Sequence, residues 1–277
     1  MHAIFSLAIP LQSYNPLFVV NSKLFIGSFL DSINEDLLYD AGLAGLSFEL
    51  STTSRGFQLL FSGFGQKMNL FVQKVLDRLT SYRPTQETYL RMRDLLLRDL
   101  SNWDSLQPYQ HAAYFASLAS ETLQYPIPDL KQTLLHPDTN IDQLQDFLTR
   151  FIVTDRGSHG TALVVGNINE QEARKLADLV DGAFPFRQVL SEQDRARRRA
   201  AVYPTGSVTR LQRQEPNQND DNSATTFYFQ LPSTSPKEYM LLEFLSEVSH
   251  PTIPYSTLLY HILSQHLRQY IYRMICV

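Results

Sequence analysis

The sequence predicts an α+β fold in which an antiparallel sheet packs against helices, and three observations carry this reading. First, "LSFEL" and "GFQLLFSGF" alternate like two strands around the polar "STTSRG", with Phe57, Leu59 and Phe61 on one face. Second, helical periodicity stands on both sides of that pair, and no regular strand–helix alternation follows. Third, in "YDAGLAGLSFEL" a helix-like run ends at Gly42 and Gly45 and a strand begins at once. A glycine there removes the Cβ that would hold a helix end and a sheet apart. It also tolerates the positive φ often needed at a helix C-terminus. Gly42 and Gly45 are therefore expected to form a structural seam.

Taken in order, "MHAIFSLAIPLQSY" has a short apolar run without the basic region of a signal peptide, and predicts a strand. From Lys23 to Tyr39 apolar residues recur at helical spacing: Leu24, Phe25, Phe29, Ile33, Leu37 and Leu38. After the strand pair, "KMNLFVQKVLDRLTSY" returns to helix, with Met68, Phe71, Val72, Val75, Leu76 and Leu79 as its buried stripe. Pro84 ends it, and Thr85 is placed to cap a long helix through about Leu100, with Glu87 near the positive end of the dipole. "SLQPYQHAAYFASLASETL" reads as a turn at Pro108 and then a helix, and "DQLQDFLTRFI" as a further short helix. "TALVVGNI" predicts a buried strand, with Asn169 capping the helix "EQEARKLADLVDGAF".

Between Pro185 and Gly206 the composition turns polar, and "SEQDRARRRA" carries Arg195, Arg197, Arg198 and Arg199. Such a run fits a nuclear-import or polyanion patch, but a solvated linker is the simpler reading. The chain is accordingly divided into residues 1–190, a linker 191–206 and residues 207–277. Beyond the linker "SVTRLQRQE" and "TTFYFQLP" predict a hairpin joined by "PNQNDDNS", and "SPKEYMLLEFLSEV" a helix. The tail predicts a helix burying Leu259, Leu263, Leu267, Tyr270 and Met274.

The 277 residues include 43% hydrophobic residues, with 17 Phe and 14 Tyr, enough for a sizeable core. A net charge of -4 gives no reason to expect nucleic acid or an acidic membrane as partner. No window reaches ~18 uninterrupted apolar residues, so no membrane span is predicted. The single cysteine, Cys276, excludes an internal disulfide and a Cys-rich zinc ribbon.

A hydrolytic zinc site needs two imidazoles on one helix face with a carboxylate close enough to activate water. The histidines are His2, His111, His136, His159, His250, His261 and His266, and neither HExxH nor HxxEH occurs. In "HILSQH" the two imidazoles diverge by ~140° around a helix and have no carboxylate beside them. His111, in "QPYQHAAYF", reads as a hydrogen-bonded core or interface histidine. No GxSxG, Walker loop or GxGxxG is present, and Cys276 is poorly placed for a nucleophile. No catalytic residue, metal ligand or substrate-binding residue can be named.

The segment "FLDSINEDLLYDAGLAGLSFELSTTSRGFQLLFSGFGQKMNLFVQKVLDRL" resembles the third domain of the insulysin/pitrilysin zinc metallopeptidases. Asp31, Ile33, Asn34, Glu35, Tyr39, Ala41 and "AGLSF" stand in register with that family's pattern. "SLQPYQHAAYF", "TALVVGNINEQEARKL" and "LQRQEPNQNDDNSATTFYFQLPSTSPKEYMLLEFLSEV" are similar to later family segments, over roughly residues 13–248 in unbroken order. The resemblance implies a domain like those of LuxS and mitochondrial processing peptidase, followed by a truncated second copy after the linker. In the family's first domain the helix equivalent to Lys23–Tyr39 carries HxxEH; here it has no histidine, so Glu35 and Glu87 inherit no catalytic role. The tail after Val248 departs from the family pattern, which suggests a truncated or mispredicted gene end, and "LRQY" at Leu267–Tyr270 inherits no substrate contact.

The resemblance implies a non-catalytic part of a zinc metalloendopeptidase, one wall of a chamber that encloses peptide substrate. Zinc would belong to the parent family and no cofactor to this chain. The partners expected are peptide substrates and a catalytic amino-terminal half, with neither nucleic acid nor membrane. The alternative is a freestanding structural or binding protein that kept the fold without the chemistry. A cytoplasmic location is expected, with peroxisome and mitochondrion as alternatives.

Overall fold

The computed structural model describes residues 1–153, 159–184, 190–204, 206–214, 216–217, 220–230, 235–237, 240–241, 244 and 270–276. They fall into two compact units, one of Met1–Leu100 with Ile127–Arg197, the other of Ser101–Pro126 with Arg198–Val277.

The first unit opens with β1 (His2–Ala8), then a helix α1 (Pro16–Ile33) that begins seven residues before the periodicity suggests. The cause is local: Asn15 caps it, its side chain accepting from Phe18 N at 2.8 Å, and Pro16 takes the first helical position. α1 runs through a π turn at Asn34–Leu38 into α2 (Tyr39–Leu43). A π turn slips the apolar face around the helix. Leu37 and Leu38, expected in the buried stripe, are accordingly half-buried, and Tyr39 and Leu43 face outward.

β2 (Leu46–Thr53) and β3 (Gly56–Gly63) then form the expected strand pair. Helices α3 (Met68–Ser81) and α4 (Gln86–Asn102) follow, with Thr85 Oγ1 accepting from Thr88 N at the start of α4. α5 (Pro108–Ser120) belongs to the second unit. The first unit resumes with α6 (Ile127–Leu135), which the sequence reading missed, and α7 (Ile141–Val153). β4 (His159–Val165) and α8 (Glu170–Ala183) complete it. Asn169 caps α8 as expected, accepting from Glu172 N at 2.9 Å.

All four strands pair antiparallel in the order β2-β3-β1-β4. One face of this sheet holds the core. Phe57 of β3 meets Phe18 and Phe25 of α1 at ring distances of 5.6 and 6.0 Å, and Phe61 meets Phe71 of α3 at 5.9 Å. Phe25, Phe29, Phe57 and Phe61 are each under 2% exposed, so each contributes roughly 1.5–3 kcal/mol of burial. Pro16–Leu43 is long and apolar enough to cross a membrane, but its apolar window is 50% buried inside the unit, as a core helix should be.

In the second unit β5 (Ala224–Gln230) pairs antiparallel with β6 (Tyr270–Cys276), and α5 lies alongside β5. This corrects two expectations. "SVTRLQRQE" is not the hairpin partner of β5: residues 207–214 form no strand, and Val208 is 94% exposed. Its two apolar residues give it no face to bury. Residues 270–276 are strand rather than helix, consistent with the β-branched and aromatic "YIYRMIC". The rest of the expected tail helix lies outside the described residues. The expected helix after β5 is present at residues 236–237, 240–241 and 244.

The arginine run is tethered rather than solvated. In the first unit Leu11 N donates to Asp194 O at 2.8 Å and Ala196 N to Ile9 O at 2.9 Å, and Ala196 is fully buried. In the second, Thr122 N donates to Arg199 O and Ala201 N to Ser120 O, both at 2.7 Å. Arg198 pairs at 3.1 Å with the Glu121 carboxylate, which is 4% exposed. Short strand-like bridges on Pro10 and Glu121 use backbone groups that composition does not reveal.

Candidate functional site: the open face of the sheet

Because side chains alternate across a strand, the register that buries Phe5, Leu59 and Phe61 presents an opposite set on the other face. That face carries four cross-strand rows: one of Thr53, Gly56, Ala8 and His159 at the end beside the turn between β2 and β3, and three beyond it. The middle row is Glu49, Leu60, Ile4 and Leu163, three apolar side chains with a carboxylate at one end. Leu60 and Ile4 are half-buried and Leu163 is 57% exposed. On one side lie Ser47, Ser62, His2 and Val165, on the other Ser51, Gln58, Ser6 and Thr161. His2 Nδ1 and Ser62 Oγ are hydrogen-bonded at 2.8 Å. The result is an apolar stripe flanked by short hydroxyl and amide side chains. It can hold extended polypeptide through apolar contact and exchangeable hydrogen bonds, and Glu49 is the one acidic residue in the rows.

The seam closes one end of the sheet. Gly45 has φ 71°, and a Cβ on it would lie 2.8 and 2.9 Å from ring carbons of Phe64. At Gly42 a Cβ would meet nothing within 4 Å. The closest backbone approach involves Gly63, which the sequence reading did not single out. It pairs with Leu46 at φ 133°, and a Cβ there would collide with the backbone oxygen of Gly45 and stand 2.9 Å from Leu46 Cα. The signal was present as "FSGFG", where a glycine ends a strand directly opposite the seam.

The histidines are scattered. His111 is buried, its Nε2 bonded at 2.8 Å to Trp103 O, as expected of a core histidine. His136 is exposed near Asp138. His159 starts β4, and burial, then the charges of Arg195 and Arg55, hold its pKa below the usual range. His250, His261 and His266 lie outside the described residues. Glu35 and Glu87 are exposed, Glu87 in the first turn of α4. Asp31 on α1 pairs with Arg91 of α4, Arg91 Nη1 donating to Oδ1 at 3.1 Å. The hydrogen bond to Arg91 lowers the carboxyl pKa. Among the described residues no group of three or more His, Cys, Asp or Glu is placed to hold a metal. The family's zinc finds no fitting ligand set among these residues.

The fold is that of a class of peptidases. The crystal structure of pitrilysin superposes with a TM-score of 0.70 at 14% identity, over 99% of this chain and 29% of pitrilysin. A protease from Helicobacter pylori gives 0.59 at 13%, over 99% of this chain and 69% of that one. At these identities the likeness is one of fold.

Sequence carries the assignment further. Residues 1–133 match the family described as "Middle or third domain of peptidase_M16". Human insulin-degrading enzyme is 26% identical over 243 residues, covering 86% of this chain and 23% of that protein. The Schizosaccharomyces pombe protein mug138, which its name describes as a zinc protease, is 25% identical over 222 residues, 80% of this chain and 22% of its own. The A-factor-processing enzyme of Saccharomyces cerevisiae is 23% identical over 198 residues, 71% and 19%. Residues 1–133 are thus a middle or third domain of the insulysin/pitrilysin peptidase family. The chain spans less than a quarter of the length of these curated relatives.

Proposed function

We propose that this chain is a non-catalytic wall of an insulysin-like zinc metalloendopeptidase, with the open face of its sheet turned toward enclosed peptide. The observation that supports this reading is the open face itself: an apolar row in which Leu60 and Ile4 are half-buried and Leu163 is exposed, between two rows of mostly small polar side chains. A sheet buried on both faces would carry apolar residues on both. Residues 1–190 would form the family's third domain and residues 207–277 the beginning of its fourth. Zinc, with the water it activates, would be held by an amino-terminal half that carries HxxEH. This chain's own contribution would be enclosure and grip of peptide.

The test is turnover of a fluorogenic peptide. The pure chain should show no chelator-sensitive cleavage. Added to the amino-terminal half of human insulin-degrading enzyme, it should raise chelator-sensitive turnover above that half alone. Chelator-sensitive cleavage by the pure chain overturns the non-catalytic reading. The freestanding binding protein becomes the better reading if peptide binds but turnover never rises.

A further inference from the structure

The end row of the open face, beside the turn between β2 and β3, differs from the other three. It runs Thr53, Gly56, Ala8 and His159, so its two inner positions carry nothing larger than a methyl group. At Gly56 the backbone takes φ 149°, a conformation that side chains rarely adopt. Gly56 and Ala8 are buried, while Arg55, His159 and Arg195 around them are each half-buried. The floor of this end is therefore recessed and its rim is basic.

Ile9, which follows β1, brings the two arginines together. Its N donates to Arg55 O and its O accepts from Ala196 N, each at 2.9 Å. Arg195 in turn bridges Pro10. Alternation gives Pro10 the face of Ala8, and Arg195, paired with it, shares that face; Ala196 is fully buried on the other. Arg195 donates twice to Leu190 O, at 3.0 and 3.1 Å, which leaves its Nη1 unused among the described residues. No carboxylate among them pairs with Arg55 or Arg195, and the neighbouring Asp194 carboxylate accepts from Ser191 Oγ at 2.6 Å. Across β1, burial and then the charges of Arg195 and Arg55 lower the His159 pKa, so the imidazole is neutral at pH 7 and free of positive charge.

We infer that this end of the open face is a subsite for the carboxy-terminal carboxylate of an extended peptide, held above Ala8 by Arg55, Arg195 and the His159 imidazole. Gly56 and His159 lie about 10 Å apart across β1, so a carboxylate centred over Ala8 reaches groups on both sides. Charge sets the direction of the peptide. The row at the opposite end of the face holds no arginine or lysine, and Glu49 repels a carboxylate placed in the apolar row. Ile4 stands four residues before Ala8 on β1, roughly 13 Å away at the rise of a strand. An extended peptide lying along β1 therefore brings the residue four places before its last over Ile4, Leu60 and Leu163. The peptides favoured are those with a free terminal carboxylate and an apolar residue at that place. The inference rests on the peptide-facing reading of the sheet and adds which end of the peptide the face recognises.

The probe is a glycine–serine peptide with a fluorophore on its amino terminus and one leucine four places before its last residue. It is added to the full chain as the free acid or as the amide. Affinity is read by anisotropy, and the site by the NMR signal of the His159 imidazole, identified by its loss in His159→Gln. The acid should bind tighter than the amide by about tenfold or more, the size of one charge-assisted bond, and only the acid should shift the His159 signal. Moving the leucine next to the terminus should weaken the acid. Arg55→Gln should bring the acid down to the affinity of the amide and leave the amide unchanged, at an unchanged Tm; Arg55→Lys, which keeps the charge, should lose less. The inference is overturned by equal binding of acid and amide, by an acid preference that survives Arg55→Gln, or by an unmoved His159 signal at saturating peptide. Inorganic phosphate that moves the signal as far as the peptide, with no effect of the leucine's place, would show a free anion to be the occupant and overturn it too. Acid and amide bound equally, and both lost on Leu60→Lys, would sink this inference and leave the wall reading. An acid-dependent shift beside turnover that never rises with the amino-terminal half would sink the wall reading alone.

Discussion

Gly45 and Gly63 meet across the seam for different reasons, and substitutions should separate them. At Gly45 the neighbour is the ring of Phe64, itself 74% exposed and free to swing aside, so the cost of a side chain there is chiefly its φ of 71°. Gly45→Val should cost about 1–3 kcal/mol, and Gly45→Asn clearly less, since asparagine tolerates the left-handed region. At Gly63 the obstacle is the backbone oxygen of Gly45, which no rotamer change removes. Gly63→Ala should therefore lower Tm more than Gly45→Ala. Gly42 lies in α2 with nothing within 4 Å of a new Cβ, so Gly42→Ala should be neutral or stabilise by up to about 1 kcal/mol. Thermal melts of the five variants check this. A Gly42→Ala as damaging as Gly63→Ala would mean the seam is built otherwise.

Elements declared themselves in the sequence where local chemistry decides them. The alternation of Phe57, Leu59 and Phe61 and the caps at Thr85 and Asn169 all act within a few residues, and all were legible. The same alternation implies the open face, since burying one set of side chains fixes the other. What was not legible depends on partners far along the chain. No local pattern says that Tyr270–Cys276, rather than the nearby "SVTRLQRQE", pairs with β5. The π turn after Ile33 moves Leu38 off the core without leaving a mark in composition. The arginine run was read by its charge, while its backbone bonds to Ile9, Leu11, Ser120 and Thr122 hold it in place. Proteolysis should report this difference, because cleavage needs an extended, locally open backbone. Limited trypsin should cut first at the exposed Arg210 and Arg213, in a stretch 208–214 with no backbone hydrogen bond to a described residue. Bonds after Arg195, Arg197, Arg198 and Arg199 should survive longer. First cuts at those four arginines would show the tethers to be weak.

At the scale of the molecule, the peptidase fold and the family's middle domain accompany a sheet whose second face is partly exposed. The family's catalytic motif is absent from the sequence, and the described residues gather no metal-ligand cluster. On the proposed reading, the sheet's open face is the surface that holds polypeptide. The claim that peptide meets this surface is tested most directly by photo-cross-linking. An extended peptide carrying a benzophenone side chain is irradiated with the full chain, and the attachment sites are read by mass spectrometry. The account predicts adducts concentrated at Ile4, Leu60, Leu163, their row neighbour Glu49 and Ser47 of the flanking row, weakened by Leu60→Lys at unchanged Tm. Adducts confined to the outer surfaces of α3 and α4, or spread without preference over the chain, would contradict it.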